Sequence, residues 1–164
     1  MAVGFNKPFY PINHLEGHLL SPLFSNKMLF PNITFLLTGG HTQIYLLKNF
    51  NEYVLLGESV DDAIGETFDK VAKLLGLGYP GGAALEKIAL KGKINDFKLP
   101  HPMQFKKDFN FSFSGIKTAV SLIIKKEKKF SQIQKANIAK TFQEKIIEIL
   151  LKKADLVLDK YKNN

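Results

Sequence analysis

Cysteine is absent from this 164-residue chain, which removes disulfide staples, thiolate metal sites and cysteine nucleophiles at once. Strong metal ligands are therefore limited to carboxylates and four histidines, His14, His18, His41 and His101. Long apolar runs are missing as well. None approaches the roughly 18 to 20 residues that a membrane-spanning helix needs, and the opening MAVGFNKPFY lacks the basic-then-apolar layout of a secretory signal. The sequence reads as a cytoplasmic chain with no membrane partner. Hydrophobic residues make up 45% of it, an ordinary globular content that excludes a disordered tail or a collagen-like fibre.

Acidic residues are also in short supply, 15 against 23 basic ones, giving a net charge of +8. Surplus cations attract phosphates and release counterions, which suits a nucleic-acid partner. Many of the lysines fall between Lys117 and Lys162, in segments patterned as amphipathic helices, where a solvated cationic face explains them equally well.

Local patterns divide the chain into elements. Pro8 and Pro11 hold the preceding residues extended. Asn13, with Glu16 three residues on, has the layout of a capping box, and the short helix it opens should end at Ser21-Pro22. From Ile33, three β-rich runs, ITFLLT, TQIYLLKNF and EYVLLGES, predict an antiparallel meander, the first turn made by Gly39-Gly40 with its tolerance of positive φ. Ser59 and Asp62 are placed to cap a helix running to Leu75, closed by Gly76. Glu58, Asp62, Glu66 and Asp69 would then form one acidic stripe. The loop Gly76 to Gly82 could let backbone amides approach a ligand, with a helix from about Ala83 to Leu90 behind it. Strict alternation in Phe109 to Ser114 predicts a strand with three phenylalanines on its buried face. Gly115 to about Lys128 and a longer segment after Ser131, capped by Gln134, read as helices. No internal repeat, low-complexity tract or linker interrupts the chain, which is taken as one unit, residues 1–164.

Two features carry chemistry. His14 and His18 stand four residues apart, so on a helix both imidazoles leave the same face and can grip one cation. A zinc protease needs a general-base Glu directly after the first histidine; here that residue is Leu15, which disfavours that class. The second feature is the pair of glycine turns, Thr38-Gly39-Gly40 and Gly81-Gly82, which match neither the Walker pattern nor the dinucleotide pattern but offer amides to a phosphate.

Taken together, six segments resemble the middle of the bacterial TsaD/Gcp (YgjD) family, in order and with matching gaps. They are Pro11-Ile12-Asn13-His14-Leu15-Glu16-Gly17-His18, Leu36 to Gln43, Leu56 to Ala63, Gly65 to Lys70, Gly76 to Gly82 and Phe111 to Thr118. That family contains the transferase subunit of tRNA threonylcarbamoyladenosine synthesis, formerly described as a glycoprotein endopeptidase. The resemblance implies an α/β fold, a fragment of the actin-like, sugar-kinase/Hsp70 type with a β-hairpin meander, helices and an incomplete second lobe. It implies transfer of the threonylcarbamoyl group from threonylcarbamoyl-AMP to N6 of the adenine beside the anticodon. By the same resemblance His14 and His18 are ligands of iron or zinc, Leu36, Leu37, Thr38, Gly39 and Gly40 form the substrate-binding loop, and Asp69, Gly82 and Glu86 make further substrate contacts. The implied partners are tRNA and subunits of the TsaB and TsaE type.

The resemblance covers about half of the family's length. An upstream phosphate loop, a downstream Gly-Gly-Val-x-x-Asn segment and an Asp-Asn-Gly segment carrying the third metal ligand are expected outside this sequence. Alternatives at this stage are an inert remnant or partner-binding fragment of the same enzyme, and a metalloprotease.

Overall fold

The computed structural model describes residues 2–25, 27–94, 97–126 and 130–162. A three-stranded antiparallel sheet, β1 (Asn32–Leu37), β2 (Thr42–Asn49) and β3 (Glu52–Glu58), runs in the order β1-β2-β3. This is the predicted meander. β1 and β2 stay in register from Asn32↔Leu47 to Leu37↔Thr42, whereas β2 and β3 slip at Ile44/Tyr45 and again at Leu47/Asn49.

Alternation along the strands sends apolar side chains to both faces. One face receives α1 (His14–Leu20), whose Leu15 and Leu19 pack with Leu36, Tyr45 and Leu47. The other contributes Ile33, Phe35 and Ile44 to the main core, shared with α2 (Ile64–Leu74), α3 (Gly81–Ala89), α4 (Ser114–Lys125) and α5 (Gln132–Tyr161). α5, about 45 Å long at 1.5 Å per residue, buries Ile138, Phe142, Ile146, Ile149 and Val157 along one stripe, while Leu151 and Leu158 on its other sides are more than half exposed. Its Ser131/Gln134 capping box forms in both directions.

α1 ends at Leu20 with Ser21 as its C-cap, as expected, and the chain continues through a 3-10 turn, Ser21–Phe24, that accommodates Pro22. Several other boundaries differ from expectation. α2 begins at Ile64 and not at Ser59. Ser59 and Asp62 form a turn ahead of it, with the Ser59 hydroxyl donating to the Asp62 carbonyl at 2.7 Å. The first helical amide, Ile64 N–H, is capped from another element by the Thr42 hydroxyl at 2.7 Å, a partner that local sequence does not reveal. α2 closes in a Schellman motif: Gly76 takes φ +70°, Leu77 N–H reaches the Ala72 carbonyl at 2.9 Å and Gly76 N–H the Lys73 carbonyl at 3.0 Å.

The Gly76 to Gly82 loop is shorter than expected, because Gly81 and Gly82 are already the first turn of α3. The 109–114 segment is not a strand. It makes a single parallel bridge, Ser59↔Phe111, and α4 starts at Ser114. Its alternation still does what the pattern implies, burying Phe109, Phe111 and Phe113. The helix expected to reach about Lys128 ends at Lys125 with Lys126 as its C-cap, and Lys128 lies outside the described residues.

Candidate functional site

The Asn13 carboxamide accepts the Leu15 N–H at 2.9 Å and fixes the start of α1. Leu15 and Leu19 turn toward the sheet, which leaves His14 and His18 on the exposed side. Their Nε2 atoms stand 3.1 Å apart with the rings edge to face. Two exposed imidazoles converging through the same nitrogen suit a borderline cation such as iron(II) or zinc, which takes neutral histidine readily. Among the described residues no group of three or more His, Asp or Glu side chains is assembled for a metal. Leu15, where a zinc protease would carry its base, is packed among apolar neighbours.

The β1–β2 turn is held by Thr38. Its N–H donates to the His41 carbonyl at 2.8 Å, and its hydroxyl accepts from the His41 N–H at 2.9 Å and from the Gly40 N–H at 3.3 Å. Neither Gly39 nor Gly40 takes a positive φ, so the glycines are not there for the turn angles expected of them. The close approach is at Gly65 on α2: a Cβ there would meet Gly39 Cα at 2.7 Å and the Thr38 carbonyl oxygen at 2.8 Å. The Gly65 N–H donates to that same carbonyl at 3.3 Å. The turn therefore lies directly on the first turn of α2.

Asp69 sits one helical turn beyond Gly65, on the same side of α2. Its Oδ1 accepts the Gly81 N–H at 2.8 Å, acting as the cap that Pro80 cannot supply with a side chain. A Cβ on Gly81 would strike Ala72 Cβ at 2.7 Å and Asp69 Cα at 2.8 Å, so only glycine lets α3 start so close to α2. Gly82 follows with open space around it, and Glu86 is exposed one turn further along α3. The structure thus sets the Thr38-Gly39 turn against Gly65 at the start of α2 and the Asp69–Gly81 tie one helical turn further along, with Gly82 and Glu86 continuing on α3. Leu36 is buried against α1, while Leu37 is 42% exposed.

The acidic stripe resolves into separate roles, because only Glu66 and Asp69 of its members lie in α2. Glu58 accepts from the Gln43 side chain at 3.1 Å, and Gln43 in turn accepts from the Tyr45 hydroxyl at 3.1 Å. Asp62 is bridged by Lys70 at 2.7 Å and by Lys117 at 2.9 Å, and Glu66 pairs with Lys70 at 2.7 Å. The hydrogen bonds from the two lysines hold Asp62 below the usual carboxylate range, and Asp62 with Glu66 raises Lys70.

Asp61 is a residue that the sequence does not single out. It lies just ahead of α2 but serves the start of a different helix. Its carboxylate accepts from Ser112 Oγ at 2.6 Å, Phe113 N–H at 2.8 Å, Ser114 N–H at 3.3 Å and Ser114 Oγ at 2.8 Å, so it caps α4 across more than fifty residues. Burial pushes its pKa up, and these hydrogen bonds outweigh that and bring it below the ordinary value. The two serines on either side of Phe113 were the available signal. Between this turn and the hairpin lies a small cleft of about 70 Å³, lined by Gly40, His41, Thr42, Gln43, Glu58, Ser59, Asp61 and Ala63.

Among the described residues no helix is long and apolar enough to cross a membrane. The family model described as TsaD, tRNA N6-adenosine threonylcarbamoyltransferase, matches residues 1–164. Proteins bearing that name are similar along nearly all of the chain. One from Nitrosomonas eutropha is 51% identical over 155 residues, covering 94% of this chain and 46% of its own length. One from Buchnera aphidicola is 50% identical over 163 residues, covering 99% and 48%. One from Nitrosospira multiformis is 51% identical over 166 residues, covering 97% and 48%. The chain spans about half the length of these curated relatives. With its histidine pair, its Thr38 hairpin and its Asp69-capped helix lying within a match that runs from the first residue to the last, the chain belongs to the TsaD family of tRNA N6-adenosine threonylcarbamoyltransferases.

Proposed function

We propose that this chain forms the central half of a threonylcarbamoyl transferase that acts on N6 of the adenine beside the anticodon of tRNA. The supporting observation is the family match over all 164 residues. The sheet-and-helix arrangement fits one lobe of an actin-like fold, and the whole 1–164 span fits a single partial domain. The donor is threonylcarbamoyl-AMP, a mixed anhydride already activated toward acyl transfer. N6 attacks the carbamoyl carbon, a C–N bond forms, the C–O bond to phosphate breaks, AMP leaves with the bond electrons, and N6 gives up a proton.

The protein's task is then to orient the donor and to favour charge on its oxygens. Leu36, Leu37, Thr38, Gly39 and Gly40 supply a turn pinned to α2, so a bound acyl-adenylate meets a backbone surface that does not need to reorganise. Asp69, through its hold on Gly81, sets the start of α3, where Gly82 and Glu86 meet the nucleoside. His14 and His18 are the residues that would hold iron(II) or zinc, and such an ion would supply Lewis acidity to the acyl transfer. The third ligand comes from another segment. No covalent enzyme intermediate is required. tRNA, subunits of the TsaB and TsaE type and a cytoplasmic location complete the reading.

The test is a chimera in which this chain replaces the corresponding half of the Buchnera relative, assayed for threonylcarbamoyl transfer to tRNA from threonylcarbamoyl-AMP. Transfer that falls at least about a hundredfold in His14→Ala supports the proposal. A folded chimera without transfer, or with transfer indifferent to His14 and His18, refutes it.

A further inference from the structure

α3 and α5 leave a groove between them of about 530 Å³, lined by Ala84, Lys87, Ile88, Lys91, Gln132, Ile133 and Ala136. Its floor is apolar and its α3 rim is cationic. Lys87 and Lys91 are exposed and join no ion pair among the described residues. Most other lysines along α5 do have carboxylate partners, as Lys140 has Glu144 and Lys145 and Lys152 share Glu148. Within the groove the apolar side chain of Ile133 is left 57% exposed among the described residues.

The walls are fixed in place. Gly92, just beyond α3, lies so close to α5 that a Cβ would fall 2.1 Å from the Ala136 carbonyl oxygen, and Lys93 N–H donates to Asn137 Oδ1 at 2.8 Å. A preformed groove spares a partner the cost of ordering it. The groove is also separate from the substrate contacts: at 100° per residue, Ala84 and Ile88 lie about 160° to 200° around α3 from Glu86.

We infer that the α3–α5 groove is a docking surface for an acidic amphipathic helix of a partner protein. An apolar stripe at i, i+4 spacing fills the floor over Ile88 and Ile133, and flanking Glu or Asp residues meet Lys87 and Lys91. A nucleic-acid backbone fits less well, because it would leave that floor uncovered and find no aromatic side chain among the lining residues to stack on.

The experiment is an NMR titration of the ¹⁵N-labelled full chain with a synthetic helix carrying a leucine stripe flanked by glutamates. Comparison probes are the same helix with lysines, polyglutamate, and bulk tRNA. The inference expects saturable shifts at Ala84, Ile88, Ile133 and Ala136 with the glutamate helix. Binding should weaken about tenfold in the double variant Lys87→Glu, Lys91→Glu, as two exposed attractions become repulsions, and the lysine helix should gain on that variant. Equal binding of both helices to the natural chain, the same saturable shifts from polyglutamate or tRNA, or a double variant within twofold of the natural chain would overturn it.

Discussion

Replacing Asp61 by alanine isolates the tie between the 58–62 turn and α4. Four donors converge on its carboxylate, two backbone amides and two serine hydroxyls. The serine hydroxyls can turn to water, so their loss costs little. The helix-start amides cannot all do so, because Phe113 is fully buried. Loss of a helix cap costs about 1 kcal/mol, and a half-buried N–H left without an acceptor about another 1 kcal/mol. The exposed side of the carboxylate argues against any larger figure. The expected loss is thus about 2 kcal/mol, which at a urea dependence of about 2 kcal/mol per M lowers the unfolding midpoint by about 1 M. Asp61→Asn, which keeps one acceptor oxygen, should lose roughly half as much. Far-UV circular dichroism during urea titration measures both. The pH dependence gives a second check. Because the folded-state pKa of Asp61 is lowered, its contribution is fully present above the unfolded value of about 3.9 and is lost as pH falls through the folded value. The natural and Asp61→Ala chains should converge in strongly acidic urea titrations. Midpoints that coincide at pH 7, or a gap that persists unchanged in acid, would refute the capping role.

Other perturbations follow from the same geometry. Gly65→Ala should displace the Thr38 turn, since the backbone atoms it meets at 2.7 and 2.8 Å cannot rotate aside; a loss of about 1–3 kcal/mol and weaker acyl-adenylate binding are expected by thermal melting and calorimetry. Lys153, 6% exposed, donates to the Asp108 carbonyl at 2.7 Å, so Lys153→Ala should cost about 2–3 kcal/mol in urea unfolding, with Lys153→Met recovering the packing share. His101, whose pKa burial and Lys152 push down despite Glu148, is kept neutral by folding. Stability should therefore fall as pH drops from about 6.5 through its folded value, a dependence that His101→Gln removes.

What the sequence reveals follows the range of the interaction. The meander, the His14/His18 spacing and the α5 capping box are set within a few residues, and each has its expected form. Burial of Phe109, Phe111 and Phe113 was legible from alternation, but their backbone was not, because the ladder that would make them a strand depends on distant partners. The Thr42 cap on Ile64, the Asp69 cap on Gly81 and the Asp61 cap on α4 bridge 22, 12 and more than 50 positions, beyond any periodicity. The acidic stripe misled for a related reason. Its spacing assumed a helix capped from Ser59, but α2 begins at Ile64, which leaves Glu58 at the end of β3 and Asp62 in the turn ahead of the helix. Glycine positions were visible while their reasons were not: Gly65 and Gly81 admit neighbouring backbone, and Gly76 alone among the described glycines needs a positive φ.

The paired imidazoles of α1 are the centre of the account, and metal titration of the purified chain tests them most directly. Calorimetric titration with zinc should show uptake of one equivalent that His14→Ala and His18→Ala each abolish while the helix signal is retained. Uptake that both variants preserve, or none either in the natural chain or in the chimera that supplies the remaining segments, would contradict the assignment of His14 and His18 as metal ligands.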